Sequence, residues 1–258
     1  MVDRDRRAYD PAMTARLRAA VPGSVRRAVW QAISPALRGI SSVKGTTTEE
    51  PVVALTFDDG PDPETTPAVL ELLARAGARA TFFMLVDRAE AHPELVSETV
   101  GAGHEVGLHG LDHTRLTTLP PTEVYRRLRD GRDRLSRLVG APIRLFRAPH
   151  GAQRVATVAA ARAARLRPVT WTLDAEDWAD NTTEEVAARV GTHAPPGSIV
   201  VLHDSLVVTA SDAPPPRYSR EDVVAAVLTR LSECGLSSVT VSTLLRSGRV
   251  RRGVWLRD

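Results

Sequence analysis

The chain has 258 residues, 43% hydrophobic and 25% charged. This composition suits a folded, water-soluble protein and excludes disordered, collagenous and multi-span membrane classes; the length suits one large α/β domain, or a domain of about 200 residues with an appendage. The formal charge of +3 comes from 34 basic against 31 acidic residues, with Lys44 the single lysine, and without a dense basic patch carrying stacking aromatics no nucleic-acid partner is expected.

In chain order, residues 1 to 40 place arginines among Leu17, Val21, Val25, Val29, Trp30, Ile33, Leu37 and Ile40, a helical rhythm broken at Pro22 and Pro35. Two readings stand: helices that dock on the main domain, or a basic amphipathic segment making peripheral contact with an anionic membrane. No apolar core of roughly 7 to 15 residues marks a secretory signal and no stretch is long enough to span a bilayer, so cytoplasmic residence is expected. Ser41 to Glu50 reads as a polar linker, which divides the chain into an N-terminal extension at 1–50, a main domain at 51–246 and a C-terminal tail at 247–258.

From Pro51 onward strands alternate with helices. Strands are expected at 52–57, 80–85, 104–108, 143–146, 169–173, 198–202 and 239–244, and helices at 67–76, 93–102, 121–139, 153–165, 183–193 and 220–234. Such alternation implies parallel crossovers, hence a doubly wound sheet or a β/α barrel. Five strands run directly into polar groups: Asp58-Asp59, His109, Arg147, Asp174 and His203. In a barrel all strand C-termini open on one face and would bring these together, so the fold expected is an α/β barrel of about seven strands, distorted and incompletely closed. Cys234 is the only cysteine, which excludes an intramolecular disulfide, and its place at a helix end near Leu231 and Leu236 predicts a buried, inert thiol.

His109 and His113 stand four residues apart, a spacing expected to set both imidazoles on one side of a helical turn. With Asp59 they make two imidazoles and a carboxylate, a donor set that leaves a coordination position open as catalytic zinc sites do. His92, His104 and His193 read as structural. Ser205 to Ser219, with three consecutive prolines, reads as a loop at the functional face that either offers Tyr218 for stacking or serves as a passive rigid spacer.

These motifs resemble those of the polysaccharide deacetylases of carbohydrate esterase family 4. Five occur in the family's order: Thr-Phe-Asp-Asp-Gly-Pro at 56–61, His-x-x-x-His at 109–113, Arg-Ala-Pro-His-Gly at 147–151, Asp-Ala-Glu-Asp-Trp at 174–178 and Leu-His-Asp at 202–204. The resemblance implies a divalent metal, Zn2+ first and Co2+, Ni2+ or Fe2+ as alternatives, held by Asp59, His109 and His113. It implies Asp58 as general base toward a metal-activated water and His203 as the acid that protonates the departing amine. Arg147 would hold Asp58, Asp174 would tune its neighbours, the backbone N–H of His150 in the Pro149-His150 turn would face the oxyanion, and Trp178 and Leu202 would line the acetyl pocket. The implied activity is removal of the N-acetyl group from a chitooligosaccharide, peptidoglycan-type or lipid-linked glycan; the alternatives are an amidase acting on a cyclic or other small amide, and a non-catalytic glycan-binding domain. His150 departs from the family, which usually carries tyrosine there, so the sugar site differs more than the chemistry.

Overall fold

The computed structural model describes residues 38–207, 216 and 218–257. Of the helical segment expected within residues 1–40 and its membrane contact, all but Arg38–Ile40, a 3-10 turn, lies outside the described residues. By its contacts Ile40–Asp258 forms one compact unit, distinct from Met1–Gly39.

Seven parallel strands follow one another around a curled half-barrel: β2 (Val52–Asp58), β3 (Ala80–Leu85), β4 (Glu105–Gly110), β5 (Leu145–Phe146), β6 (Arg167–Pro168), β7 (Leu173–Asp174) and β8 (Ile199–His203). Their spatial order is β6-β5-β4-β3-β2-β8-β7, with the short β9 (Ser237–Ser238) pairing beside the start of β2. Helices α1 (Thr66–Arg75), α2 (Val86–Ala91), α3 (Pro93–Gly101), α4 (Pro121–Val139), α5 (Val155–Ala163), α6 (Thr183–His193) and α7 (Arg220–Glu233) connect the strands. The α4 and α6 boundaries match the sequence expectation, because proline at the first turn starts α4, a Thr182–Glu185 capping box starts α6, and left-handed Gly140 ends α4.

Strand alternation sorts the core into two layers. Val53, Leu55 and Phe57 of β2 face the helices with Leu202 and Phe82, whereas Ala54 packs on the inner side with Phe83, Val169, Trp171, Ile199 and Val201. The inner layer is closed by β1 (Ser41–Thr47), which pairs antiparallel with β10 (Arg249–Val254). Val43 of this ribbon bridges to Val169, and Gly45 bridges to Ser198. The ribbon therefore spans the side that the sheet leaves open between its edge strands β6 and β7.

Several expectations are corrected. The polar linker begins with a buried strand, β1, and half of the C-terminal tail is its partner β10; paired with each other, the two share ladder hydrogen bonds that neither could make alone. The strand expected at 239–244 is instead β9 followed by a one-turn helix, α8 (Val241–Leu244), whose Thr240 side chain caps the Thr243 N–H. Cys234 is exposed, because it falls past the last turn of α7. Among the described residues, no helix is long and apolar enough to cross a membrane.

Candidate active site

The C-terminal ends of the strands open into a cavity of about 330 Å³ lined by Asp58, Asp59, His109, His113, His150, Asp174, Trp178 and His203, among others. Asp58 is the last residue of β2 and shares the inward parity of Ala54 and Thr56. It is in register with Phe83 of β3 and with His203 of β8, so base and acid candidates sit side by side on adjacent strands. Asp59 would continue the alternation outward, but its left-handed backbone (φ 78°) turns the carboxylate back to the same mouth. The next residue must be glycine: a Cβ on Gly60 would lie 2.0 Å from the Asp204 carboxylate, which accepts the Gly60 N–H at 3.2 Å and the Thr66 hydroxyl at 2.6 Å.

Asp59 Oδ1 lies 3.3 Å from His109 Nε2 and 3.2 Å from His113 Nε2. His109 Nδ1 donates to the Arg147 carbonyl oxygen at 3.0 Å, which fixes the tautomer and leaves Nε2 a lone pair. Burial holds His113 down to about 4 against the opposing charge of Asp59, so it is a neutral imidazole at ordinary pH. Burial alone would raise the Asp59 pKa, yet the facing imidazole of His109 and the positive charge of His203 hold it well below the usual carboxylate range. These three donors lie within 4.8 Å of one another, and Asp59 Oδ1 is buried without a hydrogen-bond partner, so the site fits a divalent cation. The two histidines converge through the end of β4 and the bend after it rather than along a helical turn.

Arg147 follows β5 and is buried beneath the site. Its Nη1 donates to Asp58 Oδ1 and to Thr56 Oγ1, each at 2.7 Å, and its guanidinium stacks 4.2 Å from the Phe83 ring centre. Space for that ring depends on Gly107, where a Cβ would come within 2.7 Å of it. The carboxylate against His203 is Asp177, not Asp174. His203 Nδ1 donates to Asp177 Oδ1 at 2.8 Å, and Asp177 also accepts from the His203 N–H at 2.9 Å and from Arg220 Nη1 at 2.8 Å. Burial disfavours the imidazolium, but the Asp177 charge and hydrogen bond outweigh it and push His203 up to about 10.

Asp174 instead accepts the Glu176 N–H at 2.9 Å and faces the cavity, its pKa raised by burial. Trp178 lines the cavity and is 47% exposed. Leu202 does not line it: the residue between Val201 and His203 points to the helix side, and Val201 takes the lining position. His150 has φ 59° and packs tilted against His113 with ring centres 4.1 Å apart, whereas Pro149 is buried behind it. Tyr218 does not offer a stacking face; its hydroxyl donates to the Asp177 carbonyl at 3.0 Å. His104 is structural, accepting the Ala80 N–H at 3.1 Å and held down to about 4, mainly by burial. Asp177, Arg220 and Asp204 were missed in the sequence. The second aspartate of Asp-Ala-Glu-Asp-Trp was a visible signal for Asp177; Arg220, at the start of α7, carried none.

Residues 45–169 match the polysaccharide deacetylase family profile. The chain is 36% identical over 199 residues to a peptidoglycan-N-acetylglucosamine deacetylase of Bacillus cereus, covering 76% of this chain and 89% of that one. It is 36% identical over 153 residues to a chitooligosaccharide deacetylase of Azorhizobium caulinodans, covering 59% and 73% respectively. The structure of peptidoglycan deacetylase PdaC from Bacillus subtilis superposes with a TM-score of 0.66 at 30% identity, covering 77% of this chain and 92% of that one. The chain belongs to the polysaccharide deacetylase family.

Proposed function

We propose that this protein is a metal-dependent hydrolase that removes the N-acetyl group from N-acetylated amino sugars of a chitooligosaccharide, peptidoglycan-type or lipid-linked glycan. The observation that carries the reading is the register pairing of Asp58 with His203 beside the Asp59–His109–His113 triad. It sets a base and an acid on neighbouring strand ends, lining the same cavity as the candidate cation site.

Asp59, His109 and His113 would hold the cation, zinc first by its preference for such nitrogen and oxygen donors. When bound, the metal supplies Lewis acidity, lowering the pKa of a water and polarising the acetamide carbonyl. Asp58, oriented by Arg147 and engaged through Oδ1, takes the proton from the attacking water as the new carbon–oxygen bond forms. His203, kept protonated by Asp177, donates to the nitrogen as the carbon–nitrogen bond breaks, so the products are acetate and a free amine. The backbone N–H of His150 is assigned to the developing oxyanion, and Trp178 with Val201 to the acetyl methyl group. Asp174 is assigned to the cavity wall, where it orients Trp178. The catalytic unit on this reading starts at Ile40 and includes β1 and β10.

The test is mass spectrometry of N-acetylated chitooligosaccharides and peptidoglycan fragments after incubation with metal-loaded protein. Chelator-sensitive loss of acetyl mass, abolished in Asp58→Asn, supports the reading. Hydrolysis of cyclic amides alone would move the substrate to the small-amide class, and stoichiometric metal without any turnover would make the domain a glycan binder.

A further inference from the structure

The cavity carries two cations that the chemistry above does not use, Arg115 and Arg257. Apart from Asp174, the other charges at the site are matched. Arg147 answers Asp58, Asp177 answers His203, and a cation at the triad would answer Asp59. Asp174 answers neither of these arginines: its carboxylate accepts the Glu176 N–H at 2.9 Å and the Trp178 indole N–H at 3.4 Å. Neither Arg115 nor Arg257 has a carboxylate partner among the described residues, so the mouth of the cavity keeps a positive excess.

Arg257 is held there by its backbone. Its N–H donates to the Gln153 carbonyl at 2.9 Å and its own carbonyl accepts the Gln153 N–H at 2.8 Å, two residues past the Pro149–Gly151 turn. Trp255 anchors the same segment, donating from Nε1 to the Gly151 carbonyl at 2.9 Å and packing edge-on against Trp171, itself a wall of the cavity. The C-terminal segment is thus bolted to the His150 turn, with the Arg257 side chain left exposed at the rim. Arg115, just beyond His113, adds to the burial that holds His150 below the ordinary histidine range, which places its charge near that ring. Two guanidiniums offering fork-shaped donors suit a carboxylate or a phosphate, and neither suits a neutral hydroxyl-lined sugar particularly.

We propose that Arg115 and Arg257 form an anion-recognition subsite at the cavity mouth, selecting N-acetylated sugars that carry a carboxylate or phosphate close to the acetamido group. The proposal rests on the deacetylase reading and refines its substrate. Its test compares kcat/KM of the metal-loaded enzyme on a neutral N-acetylglucosamine oligomer, on a glycan bearing a lactyl carboxylate, and on N-acetylglucosamine 1-phosphate. Wild type should favour one anionic substrate over the neutral one, and whichever arm shows the preference identifies the source of the anion. Arg115→Ala and Arg257→Ala should each lower that anionic-to-neutral ratio by about tenfold or more, chiefly through KM, with Arg257→Lys retaining part of it. Arg257→Ala leaves the backbone bridge to Gln153 in place and should fold. A ratio near unity in wild type, or one unchanged by both substitutions, overturns the proposal while leaving deacetylation of the neutral oligomer intact. If no substrate turns over, the deacetylase reading fails, and Kd values for the same three sugars on Asp58→Asn test the subsite by the same ratio.

Discussion

Replacing Asp177 by asparagine separates the acid's protonation from its position. Asp177 accepts from His203 Nδ1 and from the His203 N–H, and its pairing outweighs burial to hold His203 up to about 10. Asparagine keeps a carbonyl acceptor of the same shape but removes the charge, so His203 should titrate at or below its ordinary value of about 6.5. At pH 8 the protonated fraction would then fall from about 0.99 to about 0.03, a loss of roughly 30-fold in kcat/KM, while at pH 6 about three quarters of the acid would remain protonated. The assay is acetate release from an N-acetylated oligosaccharide between pH 5 and 10. The expected result is a basic limb moved down by several pH units with activity largely recovered at pH 6. Stability gives a second readout. Because the folded pKa of His203 is raised, its contribution is complete below about pH 6.5 and is lost as pH rises toward about 10, so the melting temperature of metal-free wild type should fall over that window and Asp177→Asn should flatten the fall. The substitution also leaves Arg220, 6% exposed, without its carboxylate, at a cost of about 3–5 kcal/mol. A loss of activity equal at every pH would refute the charge argument and leave Asp177 a purely structural residue.

Chelation should abolish activity, and adding Zn2+ should raise the melting temperature of wild type but not of His113→Ala, with stabilisation of about 2.7 kcal/mol at a metal concentration 100 times Kd. Arg147→Met should cost about 3–5 kcal/mol, because it leaves the buried Asp58 carboxylate without its partner, and should abolish turnover; chemical denaturation measures the first and acetate release the second. Deleting residues 1–39 should leave deacetylation intact, measured as acetate release, since Ile40–Asp258 is compact by itself.

Much of the site was legible because its residues lie at strand ends, where a two-residue alternation and a following polar group are both visible in one dimension. Asp58, His109 and His203 could be read this way, and the same alternation, applied strictly, would have excluded Leu202 in favour of Val201. Asp59 breaks the pattern through a left-handed turn that the Asp-Gly-Pro sequence permits but does not dictate. Asp177 as the partner of His203 escaped the sequence because two aspartates three residues apart in one loop are equivalent on paper. The Glu176 turn (φ 57°) sends Asp174 to the cavity wall and Asp177 under the imidazole.

By itself the sequence determined what local periodicity and ordered motifs encode: parallel β/α alternation, the helices from Pro121 to Val139 and Thr183 to His193, and the placement of Asp58, Asp59, His109, His113 and His203 at strand ends that open on one cavity. Tertiary structure decided what depends on segments distant in the chain meeting. Ser41–Thr47 and Arg249–Val254 carry little strand signal alone, and they become strands by pairing with each other across the open side of the half-barrel. That closure, built from hydrogen bonds no single segment can make, brings Trp255 and Arg257 from the end of the chain to the cavity at the ends of the central strands.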